Sequence, residues 1–161
     1  MPTRPRATGL LATLLLVVSA CAPAFIPGTS VEDTPENRDV VGSVELYRKA
    51  MEDRDEATLL RMVSRRYGEN GSTTDTPDDD YGYETLTGRV LPKLHDNIKE
   101  VQYRVMVRRI GIHADRAFAE YEYVARFLFS EGGRDRWQAL NDFNRLDFIR
   151  EDGVWKIESG L

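Results

Sequence analysis

The alternation of apolar and polar side chains is clearest between Ala117 and Phe129, where it has a period of two. The positions on one face are Ala117, Ala119, Tyr121, Tyr123, Ala125, Phe127 and Phe129. The charged residues Glu120, Glu122 and Arg126 occupy intervening positions. Because successive side chains of a β-strand point to opposite faces, this alternation predicts a long strand with one buried face.

Shorter alternating segments lie on both sides of this strand. The segment before it changes phase at Arg108-Arg109, which predicts a β-bulge there. The segment after it, from about Asp135 to Arg150, also changes phase between its two ends. Turns at Gly132-Gly133 and Asp152-Gly153 predict hairpin connections. The C-terminal half is therefore predicted to be an antiparallel meander of about four main strands.

Three segments before the meander repeat apolar residues at helical spacing. Thr34-Pro35-Glu36 predicts a helix start, since it offers a hydroxyl N-cap, a proline at the first helical position and an early acid. We expect this helix to end near Asp53 and a second helix to span about Asp55 to Ser64. A third is expected from Tyr83 to about Asn97, with a kink or division at Pro92. Helices followed by a meander predict an α+β fold with three N-terminal helices on one face of the sheet.

The first 20 residues have the features of an export signal. Arg4 and Arg6 precede an apolar run from Leu10 to Val18, which is shorter than the roughly 20 apolar residues that span a bilayer. The segment Val18-Ser19-Ala20-Cys21 then resembles the lipobox of bacterial lipoproteins. The resemblance implies cleavage between Ala20 and Cys21 and lipidation of Cys21; the alternative is an ordinary secretory signal with an incidental cysteine.

The resulting organisation is a signal peptide (1–20), a lipidated cysteine with a tether or strap (21–33), and one domain (34–161). Two or more acyl chains anchor a protein stably. We therefore expect a cell-envelope protein held to the membrane through its lipid. Ala22, rather than Asp, follows the cysteine, which in enteric bacteria favours the outer membrane and a domain facing the periplasm.

The domain resembles the nuclear transport factor 2-like superfamily, which includes SnoaL-like proteins and ketosteroid isomerases. The resemblance extends from Pro35 to Leu161 and rests on the helix Tyr47–Asp55, the stripe Leu59–Val63 and the ending Phe148–Ile157. It implies a cone in which a curved sheet wraps the helices around a pocket, with an outer sheet face that often forms homodimers. The isomerases use an Asp base with a Tyr and a protonated Asp. No local motif carries these roles to particular residues here, so no catalytic residue is predicted.

Composition narrows the candidate chemistry further. The 161 residues include 22 basic and 27 acidic side chains without a basic stripe, so no nucleic-acid partner is expected. With Cys21 taken up by lipid, His95 and His113 are too few for a His/Cys zinc site. The acids of 75–80 lack the spacing of a calcium loop. Neither a metal nor a cofactor is therefore expected.

Two functions from different classes remain open, with a purely structural dimer as a third. The first is a non-catalytic domain that binds a small apolar ligand or an envelope protein. The second is an isomerase- or cyclase-type enzyme that acts on an apolar substrate in the cone. The expected pocket or sheet-surface residues are Tyr83, Tyr103, Tyr121, Tyr123, Phe127, Trp137, Asp142 and Phe143. A buried acid of raised pKa beside a tyrosine hydroxyl would favour the enzyme.

Overall fold

The computed structural model describes residues 23–70 and 80–161. The helices are α1 (Pro35–Asp53), α2 (Glu56–Met62), α3 (Tyr83–Thr85) and α4 (Leu91–Asn97), and the strands are β1 (Gly68–Glu69), β2 (Tyr81–Gly82), β3 (Ile98–His113), β4 (Arg116–Glu131), β5 (Arg134–Glu151) and β6 (Val154–Ser159). Strands β3 to β6 form one antiparallel sheet in chain order, and β1 and β2 form a separate pair. The predicted α+β architecture with four main strands is confirmed.

The first two helices begin at the predicted caps. The Thr34 hydroxyl accepts the Asn37 N–H at 3.2 Å, and the Asp55 carboxylate accepts the Thr58 N–H at 2.9 Å. Helix α1 ends at Arg54, whose left-handed conformation (φ 55°) turns the chain into α2. Each of these starts depends on contacts within a few residues, which is why the sequence indicated them.

The third predicted helix is divided a few residues before Pro92, where the sequence predicted a kink or division. A π-helical turn, Leu86–Val90, joins α3 to α4, and the Leu91 N–H bonds to the Leu86 carbonyl five residues earlier. Pro92 follows immediately and has no N–H to continue the ladder. The wider turn changes the hydrogen-bonding pattern just before the proline.

Strand β4 is central and pairs along its whole length. The register between β3 and β4 shifts between Val107 and Arg109, so the predicted bulge is confirmed. The β4–β5 register, in contrast, is continuous from Arg116–Ile149 to Glu131–Arg134. The phase change along β5 is therefore not a break in its pairing with β4. Trp137 lies on the outer face of the sheet, whereas Phe148 lies on the face toward the helices.

Helix α1 packs against the concave face of the curved sheet, mainly on β3 and β4. From α1, the side chains of Val40, Val44, Tyr47 and Ala50 are buried. The sheet contributes alternate residues of β3 and β4, the C-terminal part of β5, and Trp155 and Ile157 of β6. The core therefore lies between the α1 stripe and one sheet face, and Leu59 and Met62 of α2 and Leu91 of α4 add to it.

The segment before α1 is a strap on the domain. The Ser30 N–H donates to the Val107 carbonyl at 3.0 Å, and the Val31 side chain is buried. Ile26 packs against the core, but Phe25 is 57% exposed. The predicted signal peptide, the cleavage position at Ala20 and the acylation position Cys21 lie outside the described residues.

Candidate functional site

Four tyrosines form a cluster between α1 and the concave face of the sheet. Tyr47 comes from α1, Tyr103 from β3, and Tyr121 and Tyr123 from β4. The Tyr47 and Tyr103 rings meet edge to face with centroids 6.0 Å apart, and the Tyr103 and Tyr123 centroids lie 5.7 Å apart. Tyr121 contacts the rings of Tyr47 and Tyr123 at 6.5 and 6.2 Å. Aromatic side chains therefore fill this part of the cone.

Burial controls the acid-base behaviour of this cluster. It raises the pKa of the Tyr47, Tyr103 and Tyr121 hydroxyls well above the ordinary value, because a phenolate would lose its hydration there. The Tyr121 hydroxyl is buried without a hydrogen-bond partner among the described residues. The hydroxyls are therefore neutral at neutral pH, and the cluster has the properties of a packed core.

An apolar cavity of about 210 Å³ lies beside the cluster, at the C-terminal end of α1. It is lined by Met51, Arg54, Glu56, Leu59, Leu91, Ile98, Val101 and Phe127. Val101 and Phe127 are direct cross-strand partners, and the next pair on the same face is Tyr103 with Ala125. The cavity therefore lies next to the tyrosine cluster, between α1, α2, α4 and the paired ends of β3 and β4.

Several carboxylates around the fold are stabilised in their charged form by hydrogen bonds and ion pairs. Arg48 binds Glu45 at 2.8 Å and Glu52 at 2.7 Å, and it holds the pKa of both carboxyls below the usual range. Arg109 has the same effect on the pKa of Glu120. Within the described ranges, every carboxyl group whose pKa shift is resolved is shifted downward. A general acid at neutral pH needs a raised pKa, so none of these shifted carboxyls is suited to that role.

The concave residues predicted from the sequence fall into two groups. Tyr103 and Tyr121 are buried in the cluster, Tyr123 is half-buried at its margin, and Phe127 lines the cavity. Asp142 is the cross-strand partner of Tyr123 on the concave face, but it is exposed and accepts the Phe143 N–H.

The other predicted residues lie away from the cavity. Tyr83 begins α3, where the Arg65 guanidinium lies 5.3 Å from its ring centroid. Trp137 and Phe143 lie on the outer sheet face and are 43% and 70% exposed. Met106 and Val124 extend this outer apolar surface and are 42% and 38% exposed. The structure therefore separates the predicted residues into an interior set and a surface set.

Most of the cavity wall was not predicted as a site. Met51, Leu59 and Leu91 fall within three separate predicted helices, at apolar positions of helical spacing, and none of them was predicted as a site residue. A stripe position at a helix end carries no local signal that distinguishes a cavity wall from a packed core. Tyr47, which completes the tyrosine cluster, was likewise visible only as a core position of α1.

Neither a cluster of metal-ligand residues nor a membrane-spanning helix is present within residues 23–70 and 80–161. This part of the chain contains no group of three or more His, Cys, Asp or Glu residues placed to hold a metal ion. Among the same residues, no helix combines the length and apolar character needed to cross a bilayer.

No family model matches the chain, and no curated protein has a significantly similar sequence. Solved structures nevertheless share its fold. A nuclear transport factor 2-like superfamily protein from Salmonella enterica serovar Typhimurium matches 76% of this chain and 86% of its own, with a TM-score of 0.62 and 10% identity. A conserved protein from Planctomyces limnophilus matches 78% and 92% of the two chains, with a TM-score of 0.63 and 13% identity.

A hexachlorocyclohexane dehydrochlorinase also matches, over 78% of this chain and 82% of its own, with a TM-score of 0.59 and 14% identity. At these identities the similarity establishes the fold alone. The chain has the nuclear transport factor 2-like fold, as the sequence resemblance implied.

Proposed function

We propose that the protein is an envelope lipoprotein whose domain binds a small apolar molecule without transforming it. The observation that carries this proposal is the cavity of about 210 Å³, in which six of eight lining side chains are apolar. An engineered apolar cavity of about 150 Å³ binds benzene, so this cavity has room for a substituted single ring or a short hydrocarbon. The expected driving force is burial of apolar surface.

The proposed membrane attachment would hold the domain close to the bilayer, because few residues separate Cys21 from the folded strap in the sequence. The Ala24 carbonyl already accepts the Asp33 N–H at 2.7 Å. Only Ala22 and Pro23 separate Cys21 from this docked residue. At about 3.5 Å per residue, the chain from Cys21 to Ala24 reaches about 10 Å at most. An acylated protein would therefore hold its domain against the membrane surface, in our proposal the periplasmic face of the outer membrane.

Binding without catalysis is favoured by the ionisation of the described residues. Arg54 and Glu56 are the two titratable residues among those lining the cavity. The neighbouring tyrosine hydroxyls are buried and have raised pKa values, so they cannot supply a base at neutral pH. The described residues around the site can enclose an apolar molecule, and they supply no paired acid and base.

An isomerase- or cyclase-type enzyme is the alternative. The similarity in fold to a dehydrochlorinase, named for an apolar ring substrate, favours it. Asp142 is then the candidate base, because it faces the concave side opposite Tyr123. Turnover of an apolar ring compound that is lost in Asp142→Asn, while the fold is kept, would replace the binding proposal.

The acylation is tested by the intact mass of the protein purified from native membranes. We expect a polypeptide that begins at Cys21 and carries acyl groups. A mature chain without acyl groups would exclude the anchor and leave the ligand proposal open.

The cavity is tested by titrating the same protein with toluene and following its thermal unfolding. At a concentration ten times Kd, a ligand stabilises the folded state by about 1.4 kcal/mol, or roughly 4 °C. Val101→Phe, which places a ring in the cavity, should remove this shift. Val154→Phe adds the same ring at a site that is 55% exposed and should keep it. Equal shifts in both variants, or none in the parent protein, would refute ligand binding in this cavity.

A further inference from the structure

The N-terminal part of β5 has an open edge in the described structure. Strand β6 pairs with β5 only from Asp147 to Glu151, whereas β5 pairs with β4 from Arg134 onward. All residues from Arg134 to Arg145 are exposed. Near the end of this stretch, the Asn144 side chain donates to the Gly160 carbonyl at 3.2 Å. About ten residues of β5 therefore have a neighbouring strand on one side only.

The opposite edge of the sheet, along β3, is covered. Ser30 of the strap donates to the Val107 carbonyl, and Arg48 of α1 donates to the Tyr103 carbonyl at 3.1 Å. Arg54 donates to the Lys99 carbonyl at 3.1 Å. Folded proteins usually protect edge strands in this manner, because unpaired backbone groups are a template for another strand. The open edge of β5 is thus the edge at which a strand can be added.

The side chains of this edge are arranged symmetrically about Leu140. Trp137 and Phe143, three residues to either side, share the outer face, and Leu140 lies on the concave face. All three are large and apolar, and they are 43%, 70% and 41% exposed. The residues between them are Gln138 and Ala139 on one side and Asn141 and Asp142 on the other. The segment is therefore nearly palindromic in size and polarity.

We propose that two copies of the protein pair antiparallel through β5, with the two-fold axis at Leu140, to form one continuous eight-stranded sheet. In this register, Trp137 lies opposite the partner's Phe143, and Leu140 lies opposite the partner's Leu140. Gln138 lies opposite the partner's Asp142. The residue numbers of opposed residues in the two copies differ by an even number. Each outer-face residue therefore lies opposite an outer-face residue of the partner, as a continuous sheet requires.

The register centred on Leu140 matches the opposed side chains better than the register centred on Ala139 does. A two-fold axis at Ala139 would place Trp137 opposite the partner's Asn141 and Asp135 opposite the partner's Phe143. The Leu140 register instead forms two aromatic pairs and places Arg136 diagonal to the partner's Asp142. Aromatic and opposite-charge cross-strand pairs both stabilise a sheet. Pairing nine residues on each strand would also add about eight backbone hydrogen bonds.

The first test is disulfide cross-linking in native membranes. Leu140→Cys should form a covalent dimer on mild oxidation, because residue 140 faces its own copy. Trp137→Cys alone should not, since the two copies of residue 137 would be six residues out of register, roughly 20 Å apart. Co-expressed Trp137→Cys and Phe143→Cys chains should cross-link to each other. The parent protein is the control, because any cross-link that it forms must involve Cys21, its one cysteine.

The second test measures self-association in detergent by sedimentation velocity. Leu140→Lys places two like charges opposite each other at the two-fold axis. Because like charges repel across a strand pair, it should raise the dissociation constant of the dimer at least about tenfold. Val154→Lys, on the exposed part of β6, should leave it unchanged. A monomeric parent protein would overturn the proposal, as would cross-linking of Leu140→Cys to a different protein. Self-cross-linking of Val124→Cys without that of Leu140→Cys would indicate face-to-face packing and would also overturn it.

Discussion

Replacement of Tyr121 by phenylalanine is the most direct test of whether the tyrosine cluster is packing or chemistry. The Tyr121 side chain is fully buried, and its hydroxyl makes no hydrogen bond of normal geometry with a described residue. The hydroxyls of Tyr47 and Tyr103 lie near enough to influence its pKa. Burial of an unbonded hydroxyl costs about 1–3 kcal/mol. We therefore expect Tyr121→Phe to stabilise the protein by about 1 kcal/mol, since the ring packing is retained.

Tyr67→Phe is the matched control, because the Tyr67 ring is also buried but its hydroxyl is bonded. This hydroxyl accepts the Leu161 N–H at 3.2 Å and lies 3.3 Å from Glu69 Oε2, to which it donates. Its removal takes the acceptor from the Leu161 N–H and one donor from Glu69 Oε2, which still accepts the Gly160 N–H at 2.8 Å. We expect Tyr67→Phe to cost about 1–2 kcal/mol.

Both variants are compared with the parent protein by denaturant unfolding and calorimetry. The reasoning predicts opposite signs, a rise of roughly 3 °C in Tm for Tyr121→Phe and a fall for Tyr67→Phe. A loss of 1 kcal/mol or more in Tyr121→Phe would refute it. That result would mean that the hydroxyl belongs to a hydrogen-bonded network with Tyr103 or Tyr47, and a role for the cluster in proton transfer would again need testing.

Two further predictions concern backbone geometry and pH. Gly160 has φ +92°, and an added Cβ would lie 1.9 Å from the Arg145 carbonyl oxygen. Gly160→Ala should therefore destabilise the domain by about 2 kcal/mol or more, as measured by denaturant unfolding. Gly42→Ala, in open space on α1, should be neutral or stabilising, and equal effects of the two would contradict this account. The pH prediction concerns the three cluster tyrosines whose pKa burial raises, Tyr47, Tyr103 and Tyr121. Above about pH 10 the unfolded state loses their protons and the folded state keeps them. The free energy of unfolding is therefore retained below about pH 10 and falls above it. The expected loss is roughly 4 kcal/mol per pH unit for three groups, and a guanidinium midpoint that stays constant from about pH 9 to about pH 11 would contradict it.

The elements of the fold were largely predictable because their signals are local. The alternation along β4 identified the buried face, and the phase slip at Arg108-Arg109 identified the bulge. The N-caps Thr34 and Asp55 act on backbone groups three residues away. The β1–β2 pair was not predicted, because it joins residues more than ten positions apart and each strand has only two residues.

The phase change along β5 shows how one pattern can have two structural causes. Trp137 and Leu146 do lie on opposite faces of the sheet, but no bulge separates them in the β4–β5 pairing. The change reflects which residues of β5 are covered: Leu146 and Phe148 are buried, whereas residues 134–145 are exposed on both faces. Coverage of a strand depends on elements distant in sequence, and β5 itself carries no signal of where β6 ends.

The sequence alone determined the order of helices and strands, their caps and turns, and the face of each element that is apolar, because these depend on side chains a few positions apart. Tertiary structure decided which apolar faces meet. It brought Met51, Leu59, Leu91 and Val101 around one cavity and placed Tyr47 against Tyr121 of β4. Among the described residues it also left the N-terminal part of β5 without a strand on its second edge. These features depend on distances between elements, and a periodic pattern specifies a face but not its neighbour.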